Sequence, residues 1–236
     1  MPTALVIGGT SGVGLAVARQ LATRGDDVHI AGRNEERMLR AKAAIDGRVH
    51  GHVLDAADAR AVAALTAQIA PIQRLIITLT GNGGAGPFGE LPIDGLRQAF
   101  EEKYWPTVTA LQAGLAHLSK DASVTLVGAV TARAAMPGTA GIGSLNAAVE
   151  GLVQPLAAEL APIRINAVSP GYVDTPWWDG LAAEEREGFF ASAAASLPTK
   201  RIATAPDIAE AVVLLATNPN ITGTILETDG GAHLTA

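Results

Sequence analysis

Short apolar runs alternate along the chain with longer stretches of helical periodicity, and this alternation predicts βαβ units around a parallel sheet. Ala4–Gly8 reads as a buried strand, followed by a helix over Leu15–Arg24 that Gly25 closes. Val28–Ala31 is the second strand. Asn34 is placed to cap the next helix, with Glu35 and Glu36 in its first turn. Val49–Leu54 (strand), Asp58–Ala70 (helix capped by Asp58) and Leu75–Thr80 (strand) continue the pattern. A long helix is predicted from Asp94 to Leu118 despite Pro106, then a strand over Val124–Val130. A helix over Leu145–Leu160 should bend at Pro155, and Ile163–Val168 forms the sixth strand. Residues 176–199, with Trp177, Trp178, Phe189 and Phe190, read as a helical lid. Pro206 opens a last helix, and Thr224–Thr228 closes the sheet. Right-handed crossovers make this a three-layer, doubly wound α/β fold of the Rossmann type, with residues 1–236 as a single domain. A ligand belongs beyond the carboxyl ends of the strands, where their order reverses.

Composition narrows the partners. With 236 residues, 48% of them hydrophobic and 17% charged, the chain has material for one well-packed core. A net charge of −6 argues against nucleic acid or an anionic membrane as the partner. There is no cysteine, so thiolate chemistry and disulfides are excluded, in keeping with a cytoplasmic location. No run approaches the roughly 20 apolar residues that a membrane span needs.

Between the first strand and the first helix lies Gly8-Gly9-Thr10-Ser11-Gly12-Val13-Gly14. Glycines there allow a tight turn and a close approach of backbone to phosphate, and the helix N-terminus offers free N–H groups to a pyrophosphate. The spacing of Gly8, Gly12 and Gly14 resembles the fingerprint of the short-chain dehydrogenase/reductase family. Further landmarks come in the family's order: Asp55 after the third strand, Thr78-Leu79-Thr80-Gly81 after the fourth, Pro170-Gly171, and Asp229-Gly230-Gly231 near the end. The resemblance implies a dinucleotide held by Gly8, Thr10, Ser11, Gly12, Val13 and Gly14. It also implies contacts from Asp55, Thr80, Gly81, Pro170, Gly171 and Val173, with Thr175 at the nicotinamide carboxamide. A dimer or tetramer of identical chains and a small-molecule substrate follow from the same resemblance.

The end of the second strand selects the cofactor. A carboxylate there would bind a ribose 2′-hydroxyl and repel a 2′-phosphate. The chain reads Ala31-Gly32-Arg33-Asn34, with glycine in place of the carboxylate and a guanidinium suited to phosphate. NADP(H) is expected, with Arg33 and Asn34 beside its adenosine ribose.

The resemblance also says where the family's chemistry should be, and these positions hold other residues. Aligning "GSLNAAVEGL" with the family's active-site helix puts Asn146 at the lysine position and Ile142 at the tyrosine position. Ala129 falls at the serine position and Lys103 at that of the helical asparagine. Isoleucine has no proton to transfer, and a missing general acid costs typically ~10²–10⁴ in rate. Lys103 is the leading substitute if it faces the cleft; the adjacent Glu101 and Glu102 equally fit a solvated face. Tyr172 is either an acid near the nicotinamide or a wall of the pocket. Asn146 either keeps ribose hydrogen bonds or is structural. Tyr104 and Trp105 read as packing residues, Thr131 and Ser144 as unactivated hydroxyls, and Trp177 and Trp178 as pocket walls or packing. Among five histidines, His50 and His52 share a strand face but show no carboxylate or third partner, so no metal is expected. Two functions stay open: a reductase of a carbonyl or imine using non-standard chemistry, or an inactive NADP(H)-binding sensor or partner subunit.

Overall fold

The computed structural model describes residues 1–81 and 83–235. Seven strands form one parallel sheet: β1 (Thr3–Ile7), β2 (Asp27–Gly32), β3 (Val49–Val53), β4 (Ile72–Ile77), β5 (Leu118–Val127), β6 (Arg164–Pro170) and β9 (Ile225–Thr228). Their order is β3-β2-β1-β4-β5-β6-β9. It reverses between β1 and β4, which pair in register from Ala4↔Arg74 to Ile7↔Ile77. Two short strands that the sequence pattern did not announce, β7 (Val173–Asp174) and β8 (Ala203–Thr204), pair outside the main sheet.

Helices cover both faces. On one side α1 (Gly12–Thr23), α2 (Glu35–Ala43) and α9 (Ala205–Thr217) enclose a core of Val6, Val17, Leu21, Ile30, Ile76 and Val212. On the other, α3 (Ala59–Ile69), α5 (Tyr104–Gly114), α6 (Ala140–Gly151) and α7 (Val153–Glu159) cover Leu5, Leu75, Ile77, Leu126 and Ile165. Central strands buried on both faces explain their unbroken apolar character. Asn34 accepts a hydrogen bond from the Arg37 N–H, and Asp58 from the N–H groups of Arg60 and Ala61, so both act as helix caps. Among the described residues no helix is long and apolar enough to cross a membrane.

Two helices differ from their sequence reading, for one physical reason. The predicted helix Asp94–Leu118 is divided into α4 (Ile93–Glu102) and α5, with Lys103 between them at φ −124°, ψ −57°. Pro106 cannot donate to the Glu102 carbonyl and its ring collides with that carbonyl, so the helix breaks just upstream. Pro155 acts likewise on the Gly151 carbonyl, separating α6 from α7 at Leu152. α6 also starts earlier than predicted, at Ala140 rather than Leu145. α5 ends at Gly114, and β5 already begins at Leu118 and stops at Val127 instead of Val130. The segment read as a lid is a short helical turn over Pro176–Trp178 followed by α8 (Ala183–Ser196).

Candidate functional site

The glycine-rich turn sits at the carboxyl end of β1, beside the point where strand order reverses. Gly8 has φ +86°, and a Cβ on it would lie 2.6 Å from Thr78 Oγ1. A Cβ on Gly14 would lie 2.2 Å from the Gly8 carbonyl oxygen, so only glycine lets α1 approach the strand this closely. Thr78 completes the turn by donating its hydroxyl to the Ile7 carbonyl at 3.2 Å. Ser11 precedes α1 in extended conformation without capping it by its side chain, and no acidic residue occupies the first turn. Among the described residues the helix thus presents unclaimed N–H groups and a positive dipole end to the crevice. Thr175 faces this turn: a Cβ on Gly12 would lie 3.4 Å from the Thr175 side chain.

At the end of β2, a Cβ on Gly32 would come within 2.9 Å of the Thr10 side chain. The missing carboxylate is therefore matched by Thr10 filling the space. Arg33 is exposed and has no ion-pair partner among the described residues. The Oδ1 atoms of Asn34 and Asp55 both serve local turns, accepting from the N–H groups of Arg37 at 2.7 Å and Ala57 at 3.0 Å. Beyond β6, a Cβ on Gly171 would lie 2.7 Å from the Asp229 carbonyl oxygen, which ties the Pro170-Gly171 turn to Asp229-Gly230-Gly231. Val173 is buried behind that turn, while Thr80 is exposed beside the buried Gly81. Trp177, in the short turn Pro176–Trp178, donates its indole N–H to the Gly81 carbonyl at 3.2 Å.

Of the two catalytic candidates, Lys103 faces inward and not toward solvent. It is 7% exposed, and its Nζ donates to Asn146 Oδ1 at 2.7 Å and to the Gly128 carbonyl, just past β5, at 3.3 Å. The helix break caused by Pro106 aims it there. Asn146 is 2% exposed and donates both amide hydrogens, to Thr131 Oγ1 at 3.0 Å and to the Ile142 carbonyl at 3.0 Å. Its donors are thus committed within the protein instead of to the open crevice. Ile142 is anchored through its N–H to the Gly84 carbonyl at 2.7 Å, and Ala129 leads in extended conformation into a short turn. Ser144 donates to the Gly141 carbonyl.

Electrostatics single out the same pair of elements. Burial pushes Lys103 down from 10.5 to about 8, with the nearby Glu150 carboxylate acting in the opposite sense. Glu150 on α6 is itself buried, which raises its pKa, although Arg133 lies 3.3 Å away. Sequence spacing gave no sign of Glu150.

Tyr172 is not brought to Lys103. Its hydroxyl meets Met136 Sδ at 3.9 Å, and its ring packs against Phe189 and Trp178 in the aromatic cluster under α8. Trp178 joins that cluster and donates to the Val173 carbonyl. Tyr104 and Trp105 pack edge to face on each other. Away from the crevice, His29, His50 and His52 gather with Asp27 on one face of the β2–β3 edge. There burial and the other imidazoles push His29 down to about 4.

Comparison with known proteins agrees with this geometry. Residues 8–233 match the family model described as enoyl-(acyl carrier protein) reductase. The cis-4-hydroxycyclohexanecarboxylate dehydrogenase of Sinomonas cyclohexanicum is 34% identical, over 97% of this chain and 95% of its own. A small-chain dehydrogenase solved in complex with NADPH superposes with a TM-score of 0.86 at 32% identity, covering 99% of both chains. A short-chain oxidoreductase from Pseudomonas aeruginosa PAO1, described as containing an atypical catalytic center, gives a TM-score of 0.88 at 27% identity, over 98% of this chain and 96% of that one. With the glycine turn, the strand order and nearly the whole length in agreement, the chain belongs to the short-chain dehydrogenase/reductase family.

Proposed function

We propose that the protein is an NADP(H)-dependent reductase of a carbonyl or imine in which a buried lysine takes the place of the family's tyrosine acid. NADP(H) fits the residues present. The turn at Gly8, Gly12 and Gly14 leaves room for a pyrophosphate, α1 offers free N–H groups, and Arg33 stands at the end of β2 with no carboxylate beside it. When bound, the dinucleotide supplies the hydride. The chain orients its two ends through Arg33 and Thr175, and the lid residue Trp177 helps to exclude water.

The observation that carries the reading is the contact of Lys103 with Asn146 at 2.7 Å. The family's asparagine and lysine positions are occupied in exchange, so a cation is kept at nearly the same place while being delivered from the other helix. An ammonium has three hydrogens. Two of them have protein acceptors here, which leaves one to donate to a substrate atom or a bound water. A pKa of about 8 keeps Lys103 charged at neutral pH yet able to release a proton. Its charge favours a substrate whose oxygen or neutral nitrogen becomes negative in the transition state.

The test is to titrate purified protein with NADPH and NADH by nicotinamide fluorescence, then add ketones, enones and cyclic imines. NADPH consumption that Lys103→Met slows by a hundredfold or more supports the reading. Tight binding without turnover on any class points instead to a sensor or partner subunit. If neither nucleotide binds, the assignment of Arg33 and the glycine turn fails.

A further inference from the structure

A second cluster of chemistry-bearing side chains lies far from the crevice, where β2 meets the edge strand β3. The register pairs His29 with His50 and Ala31 with His52, so Asp27, His29, His50 and His52 share one face of the sheet. The opposite face fixes this arrangement. A Cβ on Gly51, between the two histidines of β3, would lie 2.0 Å from Met38 Sδ, so α2 packs directly on that glycine. Three imidazoles gather with His29 between the others: its ring stacks on His50, centroids 4.7 Å apart at 20°, and meets His52 edge to edge, centroids 5.1 Å apart at 19°.

Hydrogen bonds join the group at both ends. His50 Nε2 lies 3.0 Å from Asp27 Oδ1, and His29 Nδ1 lies 2.9 Å from His52 Nε2. One ligand atom each from Asp27, His29 and His50 lies within 4.8 Å of the others. The neighbouring Asp26 has its own cation, Arg74 at 2.8 Å, whereas Asp27 pairs with no arginine or lysine among the described residues. His50 is exposed, so an ion has an open path to a site whose other side is buried.

We propose that Asp27, His29 and His50 bind one divalent transition-metal ion, with Zn²⁺ as the reference ion. Two imidazoles and a carboxylate are a donor set suited to zinc, leaving a fourth position for water. Zinc–ligand bonds of about 2.0–2.2 Å in a tetrahedron place neighbouring ligand atoms roughly 3.3 Å apart. The His50–Asp27 pair is already close to that spacing, and the His29 ring closes the remainder by side-chain rotation. His52 is the outer partner: when His29 donates its Nδ1–H to His52 Nε2, the His29 Nε2 lone pair is the one free for the metal. The ion would cross-link the edge strand to β2. Asp27 opens β2 and Arg33 follows its end, so at about 3.3 Å per residue the metal sits ~20 Å from the nucleotide's phosphate contact.

The experiment uses the full chain without a histidine tag, stripped with EDTA and dialysed. ZnCl₂ is titrated by calorimetry, and CoCl₂ is followed by its visible absorption. The expected result is saturable binding near one ion per chain, a tetrahedral Co²⁺ spectrum, and a rise in melting temperature. His50→Ala and Asp27→Asn should each weaken uptake tenfold or more, while His117→Ala and His233→Ala leave it unchanged. His50 is exposed on the edge strand and Asp27 is half-buried at the start of β2, and circular dichroism of the metal-free proteins verifies that both variants fold. Absence of saturable binding overturns the proposal. So does binding that survives the His50→Ala/Asp27→Asn double variant, since the ion would then sit elsewhere.

Discussion

Lys103 Nζ donates to Asn146 Oδ1 at 2.7 Å, and this contact joins the start of α5 to the middle of α6 across the site. Neither residue is accessible enough to be a surface ornament, so the pair can be read through stability as well as through rate.

The first prediction concerns pH. Burial lowers the folded-state pKa of Lys103 to about 8, against 10.5 for the unfolded chain. Between those values the unfolded chain binds more protons than the folded one, so stability contributed by Lys103 rises as pH increases from 8 to 10.5 and is least below 8. The full difference is on the order of 3 kcal/mol. Urea denaturation at pH 7 and pH 10 should show wild type gaining relative to Lys103→Met by a substantial part of that amount. A constant difference between the two proteins would contradict the assigned environment. If Lys103 is the acid, kcat should also fall above about pH 8, and this limb should vanish in Lys103→Met.

Exchanging the partners gives a second prediction. Asn146→Lys alone sets two ammonium groups against each other, a repulsion of about 4 kcal/mol at 4 Å for an effective dielectric of 20. The double variant Lys103→Asn/Asn146→Lys restores one cation and one amide. It should recover most of the lost melting temperature, so that the two substitutions are strongly non-additive. A double variant no more stable than Asn146→Lys would show that the pair is not interchangeable.

Arg33 carries a third. Replacing it with Ala removes the charge proposed to meet a 2′-phosphate while touching no ion pair among the described residues. A charge-assisted hydrogen bond contributes roughly 1.5–3 kcal/mol, so the NADPH dissociation constant should rise about tenfold or more. NADH binding should hardly change. Equal weakening of both nucleotides would place Arg33 away from the phosphate.

A fourth follows from Trp177. Trp177→Phe keeps an aromatic ring and removes the donor to the Gly81 carbonyl. The loss of about 1 kcal/mol should speed nucleotide release several-fold in stopped-flow fluorescence without altering the melting temperature much. An unchanged release rate would mean that the indole does not latch the crevice.

How far the sequence speaks for itself differs from place to place. The alternation of buried strands and helices is written in local periodicity, and the caps Asn34 and Asp58 act where their positions imply. The break at Lys103 was equally available, since a proline three residues on forbids the carbonyl contact that a continuous helix needs. That the freed side chain would meet Asn146 was not available, because the two lie 43 residues apart and meet only through packing. The histidine group was hidden for a similar reason. His50 and His52 share a face by simple alternation, but Asp27 and His29 join them only through the register of two parallel strands. The packing of Tyr172 against Phe189 and Trp178 likewise depends on where α8 lies, which apolar composition alone does not fix.

The packing of Thr10 on Gly32 links the ends of two neighbouring strands. A side chain of any kind at position 32 must first displace Thr10, which would lie 2.9 Å from its Cβ. A carboxylate-bearing residue at position 32 would therefore be felt at position 10 as well. Thr10 would have to turn aside to admit it, and the glycine-rich turn that carries Thr10 would repack with it. The end of β2 and the glycine-rich turn are thus coupled through one half-buried contact, and a change at either position is felt at the other.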